Sequence, residues 1–160
     1  MLPPPAPKED SLQKKLLLTV LAGAIAALAI SALSLASTQK TIWTAALTSG
    51  QEVPKQVVKK ASARGQFKGT LAGTKLTWKL TYAQLTGPAT AAHIHMAAKG
   101  KAGNVIVPLC GAAPVCKSGL TGTSTLTQAQ ITAFKKHLLY VNVHTAKNPN
   151  GEIRGQLAVG

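Results

Sequence analysis

Acidic side chains are the scarcest charge in this sequence: four Asp and Glu stand against 18 Lys and Arg, for a formal charge of +14 over 160 residues. Glu9 and Asp10 precede the first apolar run, so beyond residue 37 the only carboxylate side chains are Glu52 and Glu152, with no aspartate. A Ser-His-Asp arrangement cannot be assembled there. Paired-carboxylate hydrolysis would need those same two glutamates to meet, and a buried ion pair of either with Arg154 is the expected arrangement. The glycine-rich segments lack the Lys-Ser/Thr of a phosphate loop. An enzyme is therefore not expected, unless a redox metal supplies the chemistry. Aromatic residues are scarce as well, two each of Trp, Tyr and Phe, and the basic residues are scattered rather than clustered between them. No nucleic-acid partner is expected from that pattern; the charge reads as a solvated surface in an anionic setting.

One long uncharged run is present. Lys8, Lys14 and Lys15 precede Leu16 to Ala36, whose 21 residues would reach about 30 Å as a helix, the thickness of a bilayer core. The lysines on its N-terminal side place residues 1–15 in the cytoplasm and residues 37–160 outside, periplasmic or extracellular. The same run ends in Ser34-Leu35-Ala36, a small-x-small pattern that would make residues 16–36 a signal peptide and release a secreted domain from near Ser37. The expected partners are the membrane, through this helix, and either a membrane protein packed against it or further copies of the chain.

Cysteine is limited to Cys110 and Cys116, six positions apart after an apolar strand. Outside the cytoplasm that spacing predicts a disulfide closing a small loop, since a metal pair needs further Cys or His nearby in sequence.

From Ile42 onward, short apolar segments alternate with Gly, Pro, Ser and Thr, the pattern of an all-β, Greek-key-like antiparallel sandwich or barrel. The spacing predicts strands over Ile42–Thr48, Ala61–Leu71, Lys75–Tyr82, Ala91–Met96, Val105–Leu109, Gly119–Thr125, Leu138–His144 and Gly151–Ala158. Strict alternation puts Leu76, Trp78, Leu80 and Tyr82 on one face, as core. One short helix is expected, capped by Thr127, beginning at Gln128 and closing with the basic Lys135-Lys136-His137. His137 falls at its solvated end.

Three stretches together resemble the CHRD (chordin-domain) family: Gly50-Gln51-Glu52-Val53-Pro54; Ala92-His93-Ile94-His95 with Gly100 and Gly103; and Tyr140-Val141-Asn142-Val143-His144-Thr145 continuing through Asn148-Pro149 to Gly151-Glu152-Ile153-Arg154-Gly155-Gln156. The resemblance implies an extracellular or cell-envelope β-sandwich module, as found singly in exported bacterial proteins. Met96-Ala97 departs from the family pattern, which carries a glycine soon after the second histidine.

Residues two apart on a strand share a face, so His93 and His95 form a chelating pair, and Tyr140, Asn142 and His144 line one side of another strand. If the family's strand pairing holds, His144 adds a third imidazole, a set suited to copper and less to zinc. The alternative is that the three histidines hydrogen-bond loop backbones and the turn at Asn148–Glu152. Function is accordingly expected as a membrane-tethered extracytoplasmic module for binding or assembly, such as an accessory subunit of a membrane complex. The alternative is a copper-binding store, carrier or redox protein built on His93, His95 and His144.

Overall fold

Alternating burial along the first strands sets the architecture. The computed structural model describes Met1 and residues 39–160; the expected cytoplasmic segment and the anchor or signal helix over 16–36 lie outside the described residues. Among the described residues, no helix is long and apolar enough to cross a membrane. Strands β1 (Lys40–Thr48), β2 (Arg64–Ala72) and β3 (Lys75–Ala83) form an antiparallel meander in which Trp43, Ala45 and Leu47, then Phe67 and Leu71, then Leu76, Trp78 and Leu80 turn inward. Tyr82 is half-buried rather than core. β6 (Leu120–Thr125) pairs with β3 only as far as Leu80, and beyond it the Ser118 hydroxyl bonds the Tyr82 backbone in place of a strand.

The remaining strands are β4 (Ala89–Met96), β5 (Asn104–Cys110), β7 (Leu139–Thr145), β8 (Ile153–Gln156) and β9 (Ala158–Val159). Among the described residues nine strands, all paired antiparallel, make one nearly closed, barrel-like sheet in the order β5-β4-β7-β8-β1-β2-β3-β6, with β9 beside β1. The strand expected over Gly151–Ala158 is divided at Leu157, whose side chain is buried and whose N–H donates to Leu139 O of β7, before β9 pairs with β1. Residues 61–63 form a turn and not the start of β2.

Helix α1 (Gln128–Lys135) begins on a reciprocal capping box: Gln130 N–H donates to Thr127 Oγ1 while Thr127 N–H donates to Gln130 Oε1. Its Phe134 stacks on Trp43 in the barrel core, and Gln130 Nε2 donates to Ile106 O on edge strand β5. Truncating Trp43 would cost about 3–5 kcal/mol, so this contact anchors the helix firmly to the barrel. The Cys110–Cys116 disulfide forms as expected, with S–S 2.05 Å, and closes the loop after β5.

What positions the site is β7, buried at every residue. Leu139, Val141 and Val143 enter the core, while Tyr140, Asn142 and His144 alternate onto the outer face. That face is polar yet covered. Gln56 Nε2 donates to Glu152 O and Val58 N–H to Asn148 Oδ1, which ties the β1–β2 loop over it. The β4–β5 loop adds a lid through Gln156 Nε2, which donates to Ala97 O.

Candidate metal centre

Antiparallel register brings the three expected histidines together. In the β4–β7 ladder His93 lies opposite Asn142, Ala91 opposite His144 and His95 opposite Tyr140. The pairing of β4 with β5 slips at Ala92/His93 and again at Ile94/His95, irregularities that re-aim side chains beside both histidines. One ring nitrogen from each of His93, His95 and His144 lies within 4.8 Å of the others. His137 does not join them: it is exposed beyond the end of α1 with φ of 57°.

The backbone dictates which nitrogens are free. Carbonyl oxygens only accept, so His95 Nδ1–H donates to Gly103 O (2.9 Å) and His144 Nδ1–H to Pro149 O (2.9 Å). Both rings therefore turn a bare Nε2 lone pair inward. His95 Nε2 has no partner among the described residues, and His144 Nε2 accepts from His93 Nδ1 at 3.2 Å. Backbone carbonyls holding Nδ1–H are the arrangement that fixes the tautomer of metal-binding imidazoles. The two readings of these residues are thus compatible, since each hydrogen bond to a loop uses one nitrogen and leaves the other.

The cluster is held neutral. Burial brings the His144 pKa down to about 4, with the bond to Pro149 opposing and the neighbouring His93 and His95 adding to the fall. Burial likewise lowers His95, against its bond to Gly103 and with help from the Arg154 charge; it lowers His93, helped by His95. Neutral imidazole is the form that ligates metal.

Around the histidines stands a supporting layer that sequence reasoning located only in part. Tyr140 stacks on His95 (centroids 4.8 Å apart, 9° between planes), accepts from Gly103 N–H at 3.1 Å, and carries the Arg154 guanidinium 3.4 Å from its ring centroid. Gly103 is an unforeseen positioning residue. A Cβ there would collide with the Met96 carbonyl, so only glycine lets the β4–β5 loop fold back and present its own carbonyl to His95. Its place in the family motif, eight residues after His95, marked the residue but not this role.

The expected ion pair of a glutamate with Arg154 gives way to a different arrangement. Glu152 is fully buried and receives Thr86 N–H, Thr86 Oγ1 (2.6 Å), Thr145 Oγ1 (2.6 Å) and Asn148 Nδ2 (3.2 Å). Burial raises its pKa, but these bonds outweigh burial and the net shift is downward. Glu52 is fully buried with Oε1 unpartnered and only a long bond to Oε2 from Asn142 Nδ2, 3.4 Å. Burial pushes it up to about 8, against Arg154, Asn142 and Lys55. Arg154 makes no hydrogen bond to either carboxylate among the described residues; its own bond is a long one to Ala98 O, and Tyr140 occupies the guanidinium face. The two carboxylates share no hydrogen-bond donor among the described residues.

No curated protein and no solved structure shows a significant match to the chain. A family profile does, described as the CHRD domain and matching residues 43–157, a span that contains every strand of the barrel except the start of β1 and the whole of β9. The chain belongs to the CHRD domain family.

Proposed function

We propose that the chain is an extracytoplasmic binding module, tethered through residues 16–36, whose bound group is a copper ion held by His93, His95 and His144. The observation that carries this reading is the mutual approach of three imidazole nitrogens to within 4.8 Å. Three points so spaced all lie within about 2.8 Å of a common centre, and ring rotations of under 1 Å would bring them to the 2.0–2.1 Å of metal–imidazole bonds. Two of the rings already have their tautomer fixed by carbonyls, and His93 needs only to leave its bond to His144 and carry its proton on Nε2. No thiolate is free, because the two cysteines are joined. An all-nitrogen set follows the general affinity order that peaks at Cu²⁺ above Zn²⁺, which favours copper.

The test is metal analysis of the full-length protein purified from its native membrane, followed by titration of the metal-stripped protein with Cu²⁺ and Zn²⁺. One copper per chain, bound more tightly than zinc, is expected, with nitrogen hyperfine structure in the electron paramagnetic resonance spectrum. Absence of stoichiometric binding by the folded chain would sink the proposal and leave the histidines as loop anchors.

A further inference from the structure

A second cluster lies on the same covered face, on the opposite flank of β7. There the β1–β2 loop, the β4–β5 loop and β8 enclose a cavity of about 250 Å³ lined by Glu52, Lys55, Lys99, Arg154 and Gln156. Glu52 is 0% and Arg154 2% exposed. Glu52 Oε1, Arg154 Nη1 and Gln156 Oε1 have no hydrogen-bond partner among the described residues. Each buried polar atom left this way costs about 1–3 kcal/mol, more where charged, and three on residues that line one cavity call for a ligand with matching groups.

The chemistry of that ligand can be read from its hosts. Arg154 offers donors only and takes an oxyanion; Gln156 Oε1 accepts only and takes a hydroxyl. Lys55 and Lys99 add positive charge, Asn142 of β7 is neutral, and Glu52 is the one acidic group facing the cavity. The volume falls below the roughly 300 Å³ at which drug-sized pockets begin, which limits the ligand to about one sugar ring. We propose that this cavity binds a small hydroxycarboxylate, no larger than a single uronic acid, with its carboxylate on Arg154 and its hydroxyls on Gln156 and Glu52. The site adjoins the histidine cluster through Tyr140, which stacks on His95 and carries Arg154, but it does not rest on metal binding.

With its pKa near 8, Glu52 is protonated at pH 6 and can share the pocket with an anion; ionised at pH 9, it repels one. The test is calorimetric titration of the full-length protein in detergent with D-glucuronate, acetate and D-glucose. Glucuronate is expected to saturate one site at pH 6 at least tenfold more tightly than acetate, which lacks the hydroxyls, or glucose, which lacks the charge. A glucuronate oligomer, too large for the cavity, is expected to lose binding, and binding as tight as the monomer's would overturn the size limit. Raising the pH to 9 should weaken glucuronate at least tenfold, and Glu52→Gln, which preserves shape and neutrality, should bind at pH 6 yet lose that dependence. Lys99→Gln, at an exposed position, should weaken binding a few-fold without disturbing the fold. No saturable glucuronate binding by the folded protein, glucose binding as tightly as glucuronate, or an unchanged pH dependence in Glu52→Gln would each overturn the proposal.

Discussion

The two carboxylates of the domain, 100 residues apart in sequence, are both fully buried, yet their environments are opposites. Around Glu152 every oxygen is occupied: two hydroxyls, one amide side chain and one backbone N–H donate to it, and its pKa falls. Around Glu52 one oxygen has no partner, the other has a single long bond, and the pKa climbs to about 8. Burial alone does not decide what a carboxylate does; the donors brought to it do. The Glu152 region is a finished knot joining the β3–β4 connection, the end of β7 and the turn before β8. The Glu52 region has polar capacity left over, and so does the histidine cluster through His95 Nε2.

The largest expected effect comes from undoing the finished side. Glu152→Ala would strand Thr86, Thr145 and Asn148 donors in a buried setting, at about 1–3 kcal/mol per group before relaxation, and a loss of about 4 kcal/mol in denaturant unfolding of the full-length protein is expected. A loss below about 1 kcal/mol would show that water satisfies those donors and would erase the contrast. Its pH dependence follows from the lowered pKa: the stabilisation is present above pH 4.5 and is lost as the pH falls through the folded-state value.

On the unfinished side the sign reverses. The folded pKa of Glu52 lies above its unfolded value, so its contribution is fully present below about pH 4.5 and is lost as the pH rises towards 8. Glu52→Gln, which cannot ionise, should match the parent protein at pH 4.5 and become the more stable of the two by about 3 kcal/mol as the pH approaches 8. Parallel stability curves for the two proteins across that range would show that Glu52 is not desolvated.

Much of the barrel was legible from period-two patterning, because alternation along β1 and β3 is enforced by a core on one side and solvent on the other. β7 was readable for the same reason on its core side. Its outer side was not, since Tyr140, Asn142 and His144 look like a solvated face and are covered by loops whose closure depends on contacts 90 or more residues distant, such as Val58 to Asn148. The histidine convergence could be anticipated from strand parity together with family resemblance. The tautomer assignment could not, because it depends on the carbonyls of Gly103 and Pro149, and a backbone oxygen leaves no mark in a sequence. Arg154 was drawn to a carboxylate by charge arithmetic, whereas in the fold the guanidinium lies flat on Tyr140, a face-to-face contact that competes with ion pairing.

The smallest effect in free energy carries the comparison to the histidines, where unfinished capacity is directed at a metal. Removing one of three imidazoles by His144→Ala should weaken copper binding about 10–100-fold, or about 1.4–2.7 kcal/mol. His137→Ala should leave it unchanged, because His137 is exposed and outside the cluster. The pH profile separates coordination by these buried rings from capture by surface imidazole. A solvated histidine competes with protons near pH 6.5, whereas His144, with its pKa near 4, stays neutral well below that. Copper affinity should therefore persist through pH 6 and fall only as the pH approaches 4. A midpoint at 6.5, or equal losses in the two alanine variants, would place the metal on exposed histidine and leave His95 and His144 as anchors of the loops at Gly103 and Pro149, with His93 bonded to His144.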